Sequence, residues 1–204
     1  MKTFTAFFTC LVWITLLLRF YLGAQLAVAE GQSALLGVIA SLGYFTVLTT
    51  SLVGVALLAN GIARFPLQRF FTSPLVNTGL AASVILVALV YSLMLRHLWQ
   101  PEGMRLLVDI FLHDVIPPLF VLHWWLRTPA AALTYSRGIV TVLYPLVYLA
   151  VIFLIGLAIG QFPYPFMDAN QLSWARVVFN LSAMLLVYLS LVQLLVFAKR
   201  KASR

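Results

Sequence analysis

The sequence predicts an all-α, polytopic membrane protein, and two observations support that fold class. The chain has 204 residues, of which 63% are hydrophobic and 9% are charged, and its mean hydropathy is +1.05. Soluble domains are closer to half apolar, so a soluble chain of this length could not hide so much apolar surface from water. Apolar runs also recur at about the 20-residue length that carries a helix across a hydrocarbon core.

We predict six transmembrane helices in one bundle, forming a single integral-membrane domain over residues 1–204. The predicted spans are 4–28, 34–60, 75–97, 105–126, 138–160 and 174–198. The first run begins with Lys2 and ends near AVAE, as a cleaved signal peptide would. Its length and the late Arg19 instead favour a retained span.

Lysine and arginine residues are concentrated at one end of the predicted bundle. That end holds Lys2, Arg64, Arg69, Arg127, Arg137, Lys199, Arg200, Lys201 and Arg204, whereas the other holds Arg96, Arg105 and Arg176. Cytoplasmic loops carry the excess of basic residues, so we predict that both termini are cytoplasmic. The net charge of +8 is then a signal of topology and of anionic lipid contact. It predicts membrane lipid as a partner and no nucleic acid.

The fourth predicted span contains ionisable residues, which at membrane depth usually face a bundle interior or a wet cavity. Asp109 and His113 are four residues apart and therefore share one helical face. A carboxylate there could orient an imidazole that acts as a general base. Asp114 projects about 100° away. We expect it to pair with Arg19 of the first span, chiefly as a structural ion pair.

Two prolines, Pro117 and Pro118, lie one turn after His113. A proline removes an amide donor and clashes with the carbonyl four residues earlier. We therefore expect a kink that frees the carbonyls of His113 and Asp114 and opens a polar recess. The alternative is a packing kink with no chemical role.

The second predicted span carries a cluster of hydroxyl groups: Tyr44, Thr46, Thr49, Thr50 and Ser51. Threonines in membrane helices usually bond back to a carbonyl of the preceding turn. One becomes a nucleophile when a base lies within hydrogen-bond reach and substrate can enter. Counted at about 1.5 Å per residue, Thr46 and His113 lie at similar depths in the outward half of the membrane. An amphiphilic ester substrate could enter such a site sideways.

The sequence predicts no metal and no organic cofactor. Only His113 is placed mid-membrane, whereas His97 and His123 lie beside tryptophans near span ends, as in interfacial aromatic belts. The chain has no cysteine–histidine metal spacing and no phosphate-binding glycine loop. Its one cysteine, Cys10, lies in an apolar run and is expected to be a packing or lipid-facing residue.

Three short motifs, YFTVLTT, LHDVIPPLF and YPFMD, occur in the order seen in the androgen-induced-gene / FAR-17a family. The chain resembles most closely the bacterial six-span branch of that family, called Pr6Pr, and the resemblance covers most of its length. This resemblance implies an integral protein of the bacterial cytoplasmic (inner) membrane. Characterised animal members are multipass threonine hydrolases that cleave fatty acid esters of hydroxy fatty acids.

The family's threonine falls on Thr46 and its histidine on His113, and the proline five residues after that histidine is Pro118. The YPF segment begins at Tyr164. This chain departs from the animal pattern in three places after or beside the histidine: Asp109, Asp114 and Pro117. The resemblance therefore implies an ester hydrolase, and these departures leave the identity of its substrate open.

Our hypothesis is an intramembrane, threonine-dependent lipid ester hydrolase. Thr46 would attack the ester carbonyl, His113 would accept its proton, and Asp109 would orient His113. We expect the polar core or substrate pocket to include Arg19, Tyr44, Thr50, Asp114, Pro117, Pro118 and Tyr164. Backbone amides near the kink, or the Tyr44 hydroxyl, are the candidate oxyanion donors. The alternative is a non-catalytic six-span protein, a small transporter or scaffold, whose polar groups serve packing.

Overall fold

The computed structural model describes residues 2–62 and 64–203, and within them the chain forms helices and no β-strand. Arg204, which entered the charge count, lies outside the described residues, as does the side chain of Lys2. We label the longer helices α1 (Lys2–Ala29), α2 (Ala34–Leu42), α3 (Phe45–Gly61), α4 (Pro74–Leu98), α5 (Gly103–Arg127), α6 (Tyr135–Ile159) and α7 (Trp174–Lys201). Short helical turns at Gln68–Phe71, Ala130–Ala132 and Pro165–Met167 lie in the connections.

Five of these helices are long and apolar enough to cross a membrane, and α2 with α3 makes a sixth if the bent pair is one span. The chain is therefore an all-helical, multipass integral membrane protein. Helix ends lie within a few residues of the predicted boundaries. The second span is the exception, because the single helix expected over 34–60 is bent by 86° between α2 and α3.

The break between α2 and α3 falls at Gly43 and Tyr44. Tyr44 is extended, with φ −86 and ψ 130, so α3 starts afresh at Phe45. The Tyr148 hydroxyl of α6 donates to the Gly43 carbonyl at 2.8 Å. On the other side of the break, the Phe45 N–H donates to the Tyr164 hydroxyl at 2.8 Å. Two tyrosines from distant segments thus satisfy backbone groups that the broken helix leaves open.

Helices α1 and α2 cross through two glycines, Gly23 and Gly37. A Cβ built on Gly37 would lie 2.2 Å from the Gly23 carbonyl oxygen, and one on Gly23 would lie 2.3 Å from Ser41 Oγ. Only glycine permits so close a backbone approach, which is common where membrane helices pack. The Arg19 guanidinium lies 3.4 Å from that same Gly23 Cβ position, so the crossing also borders Arg19.

The main apolar core lies between α1, α3, α4 and α5. Its largest fully buried side chains include Phe8, Leu16, Leu57, Phe120 and Trp124. The Trp124 indole N–H donates to Thr78 Oγ1 at 2.9 Å, which satisfies the one polar atom of that ring. This shared core packs α3 beside α5 and so holds the first turn of α3 against the middle of α5.

Both α4 and α5 contain a π-helical turn, at Tyr91–Leu95 and Phe111–Val115. Such wide turns are rare and often occur at functional sites. The turn in α5 directly precedes Pro117 and Pro118, where a kink is expected, and Gly103–Arg127 still forms one membrane-length helix. Widening the helix just before the prolines accommodates their missing N–H groups without breaking it.

Candidate active site

Thr46 and His113 meet between the first turn of α3 and the π turn of α5. Thr46 Oγ1 lies 3.4 Å from His113 Nε2, and the contact is partly buried. Other threonine hydroxyls, such as those of Thr15 and Thr78, bond to a carbonyl four residues back. Thr46 is the second residue of α3, so no complete helical turn precedes it, and its hydroxyl contacts the imidazole instead.

Asp109 fixes the tautomer of His113. His113 Nδ1 lies 2.9 Å from the Asp109 carbonyl oxygen and 3.3 Å from Asp109 Oδ1. Both oxygens are acceptors, so in the neutral imidazole Nδ1 carries the proton and Nε2 is the nitrogen that can accept from Thr46. Each side chain is only 12% exposed. The expected contact between Asp109 and His113 on one helical face is confirmed.

Tyr91 of α4 is the site residue that sequence reasoning missed. Its ring stacks on His113 with centroids 3.7 Å apart and planes 10° from parallel. Its hydroxyl donates to Asp109 Oδ2. The available signal was a tyrosine in the middle of a long apolar run, because a buried phenol usually needs a hydrogen-bond partner.

The expected pairing of Asp114 with Arg19 is wrong. Asp114 forms its ion pair with Arg96 at the end of α4, and both side chains are well exposed. Asp114 does project away from Asp109 and His113, but that side of α5 faces α4 and not α1. The Arg96 guanidinium also lies over the Tyr91 ring, 4.9 Å from its centroid.

A cavity of about 370 Å³ opens beside the Thr46–His113 contact. Its polar lining comes from four helices and from the segment before α7, and it includes Arg19, Tyr44, Tyr91, Arg105, Asp109 and Tyr164. The volume is within the range of small-molecule sites. A ligand in this cavity would contact Thr46 and His113 directly.

A smaller cavity of about 60 Å³ is also lined by Thr46. It shares Thr46, Tyr91, Leu95 and Tyr164 with the first cavity. It continues between α4, α6 and α7, where its lining is apolar and includes Leu86, Val90, Leu149, Met184 and Leu185. Thr46 therefore lines both a cavity that contains charged side chains and a smaller apolar cavity.

The residues predicted for the polar pocket divide into two groups. Arg19, Tyr44 and Tyr164 line the larger cavity, and the remainder do not: Thr50, Asp114, Pro117 and Pro118. Thr50 is buried one turn further along α3. Asp114 lies in the π turn and pairs with Arg96, and both prolines lie in the α-helical segment that follows the turn.

Tyr164 holds the first turn of α3 in place from the connection between α6 and α7. Burial raises the pKa of its phenol to about 12, so the hydroxyl stays neutral and accepts the Phe45 N–H. Tyr164→Phe removes that acceptor, and we expect it to destabilise the protein by about 1–3 kcal/mol, the cost of an unpaired buried donor. Thermal unfolding in detergent measures the loss.

The matched control is Tyr135→Phe, at an exposed tyrosine near the start of α6. It should leave the unfolding temperature close to that of the wild type. Equal unfolding temperatures for all three proteins would show that the Tyr164 hydroxyl does not support α3.

In the described part of the chain, no group of three or more histidine, cysteine or acidic residues could hold a metal ion. Comparisons with family models, curated proteins and solved structures found no match for the chain. Function is therefore inferred from the geometry of the site.

Proposed function

We propose that the protein is an intramembrane, threonine-dependent lipid ester hydrolase, similar to the androgen-induced-gene / FAR-17a family and its Pr6Pr branch. The observation that carries the proposal is the 3.4 Å contact between Thr46 Oγ1 and His113 Nε2. This contact faces a cavity large enough for a substrate. A hydroxyl beside an unprotonated imidazole nitrogen is the arrangement that activates a nucleophile.

In the proposed reaction, Thr46 Oγ1 attacks the ester carbonyl while His113 Nε2 takes the hydroxyl proton. The tetrahedral intermediate collapses, His113 returns the proton to the leaving alcohol, and an acyl ester remains on Thr46. Water then attacks this ester with His113 again as the base, which releases the fatty acid and restores the Thr46 hydroxyl. Asp109 stabilises the imidazolium that forms in each half of the reaction.

The start of α3 supplies donors for the developing oxyanion. Among the described residues, the N–H groups of Thr46 and Val47 have no hydrogen-bond acceptor, because the break removes the carbonyls they would otherwise meet. Both residues line the larger cavity. The positive end of the helix dipole also favours negative charge at this position. We assign these two amides to the oxyanion hole.

We also propose a six-span topology with both termini in the cytoplasm of a bacterium and the site in the outward half of its inner membrane. Lysine and arginine are concentrated at the end of the bundle where both termini lie, and this distribution supports the orientation. The first turn of α3 and the adjoining ends of α4 and α5 then lie towards the outside. Amphiphilic esters would reach the cavity from the outer leaflet.

Asp109→Asn tests the orienting role. An asparagine amide can present its N–H₂ group to His113 Nδ1 and so favour the wrong tautomer. We expect kcat/KM for acyl esters to fall by about 10- to 1,000-fold, since losses in comparable triads reach about 10⁴. The Asp109 backbone carbonyl still contacts Nδ1 in the variant, which moderates the effect.

Asp114→Asn is the matched control, because this carboxylate is exposed and pairs with Arg96 away from His113. Its turnover should stay within about a few-fold of wild type, as expected for loss of an exposed ion pair. If the two variants lose activity equally, Asp109 has no special role in orienting the histidine.

The competing function is a non-catalytic transporter or scaffold, which the Arg96–Asp114 and Tyr91–Asp109 contacts would also suit. Purified protein in neutral detergent, incubated with a panel of acyl esters, separates these functions by mass-spectrometric detection of released fatty acid. The hydrolase proposal predicts release of acid and alcohol in equal amounts. Absence of turnover across the panel, together with solute flux in proteoliposomes, would support transport instead.

A further inference from the structure

Arg19 is a cation at membrane depth without an acidic partner. It lies ten residues before the end of α1, roughly 15 Å along the helix axis. Its guanidinium lies over the Tyr44 ring, 5.6 Å from the centroid. Both ion pairs in the described part of the chain join other residues. Arginines within membrane segments almost always face a partner or a functional cavity.

Arg105 of α5 lines the same cavity as Arg19, and the two guanidinium groups repel each other. The one carboxylate in the cavity lining, Asp109, is already engaged by Tyr91 and His113. The end of the cavity that holds the two arginines therefore carries positive charge that no described protein group neutralises. Such a cleft attracts and holds an anion.

The two cavities that Thr46 lines offer different surroundings to the two parts of an ester. The small cavity that Thr46 lines has apolar walls, which suit the first carbons of an acyl group. The wider cavity that Thr46 also lines contains Arg19 and Arg105. An ester at Thr46 with its acyl group turned to the small cavity would leave its alcohol portion in the cavity that the two arginines line.

We propose that Arg19 and Arg105 form a subsite for a phosphate group carried by the alcohol portion of the substrate. The proposal rests on the hydrolase function and names its substrate class, acyl esters of phosphorylated alcohols. Two guanidinium groups suit phosphate because a phosphate monoester carries up to two negative charges and three terminal oxygens, which can accept from both groups. Phosphate is also the common headgroup anion of bilayer lipids.

Three esters with the same acyl chain test this subsite: acylglycerol phosphate, uncharged acylglycerol, and the acyl ester of glyceric acid. The measurement is the ratio of kcat/KM for the phosphate ester to that for the uncharged ester. We expect Arg19→Gln and Arg105→Gln each to lower the ratio at least about tenfold, as loss of a charge-assisted hydrogen bond would. Arg176→Gln, which removes an exposed arginine outside both cavities, should leave it unchanged.

An unchanged ratio in both cavity variants would overturn the subsite. So would a preference of the wild type for the glyceric acid ester over the phosphate ester.

A binding measurement separates the subsite from the hydrolase proposal. Dodecyl phosphate has no ester, so its stabilisation of the protein against thermal unfolding in maltoside detergent does not depend on turnover. We expect this stabilisation in wild type and in Thr46→Ala, and its loss in Arg19→Gln. Equal stabilisation of Arg19→Gln, or equal stabilisation of wild type by inorganic phosphate alone, would contradict a phosphate amphiphile site.

The two proposals fail in different ways. Arginine-dependent binding of dodecyl phosphate without cleavage of any ester would contradict the hydrolase proposal and support the phosphate subsite. Ester cleavage that depends on Thr46 but not on either arginine would support the hydrolase proposal and contradict the phosphate subsite.

Discussion

Thr46→Ala and His113→Ala are each expected to lower kcat/KM for acyl esters at least about 1,000-fold, the scale seen when a nucleophile or its base is removed. Thr46→Ala deletes the attacking oxygen, and His113→Ala leaves the hydroxyl without the Nε2 acceptor now 3.4 Å away. Because the two residues act as one unit, the double variant should be no slower than either single variant. Steady-state kinetics on detergent-purified protein measures all three.

Two control variants, Thr46→Ser and Thr50→Ala, test whether the loss of activity is specific to the Thr46 hydroxyl. Serine keeps the hydroxyl, so the first variant should retain measurable turnover. Thr50 is buried one turn away on α3 and lines neither cavity, so its loss should leave the activity close to wild type. A folded Thr46→Ala protein that cleaves esters at the wild-type rate would remove Thr46 from the mechanism.

Gly37→Ala is expected to disrupt the packing of α1 against α2. The added Cβ would lie 2.2 Å from the carbonyl oxygen of Gly23, and a backbone atom cannot rotate aside. The two helices must separate, which should lower stability by about 3 kcal/mol, at the upper end of typical overpacking costs. Activity should fall as well, since α2 leads directly into the break before Thr46.

Gly61→Ala is the control, because a Cβ there meets nothing within 4 Å. In a helix that change should be neutral or stabilising by up to about 1 kcal/mol. Unfolding temperatures in detergent compare the two variants. Similar values for both would mean that α1 and α2 do not cross through their glycines.

Most of the helical architecture was predictable from the sequence because membrane helices need long apolar runs with polar ends. The break between α2 and α3 was not predictable, since the apolar run continues through Gly43. The break depends on Tyr148 and Tyr164, which are more than 100 residues further along the chain and satisfy its backbone groups. Local pattern does not reveal partners so distant in sequence.

The candidate site also contains contacts that the sequence could predict and contacts that it could not. The four-residue spacing of Asp109 and His113 predicted their contact, because both lie on one helix. The ion partner of Asp114 and the stacking of Tyr91 depend on which helix packs beside α5, and the sequence does not specify that neighbour. The free N–H groups of Thr46 and Val47 result from the break between α2 and α3, so the sequence could not predict them either.

The most direct test of the account is covalent trapping of its nucleophile. A fluorophosphonate reacts with an activated hydroxyl by losing fluoride and bonding phosphorus to that oxygen, and peptide mass spectrometry then locates the adduct. The proposed mechanism predicts a single adduct on Thr46 in wild type and no adduct in Thr46→Ala or His113→Ala. An adduct on another residue, or ester cleavage by a protein whose Thr46 stays unlabelled, would contradict it.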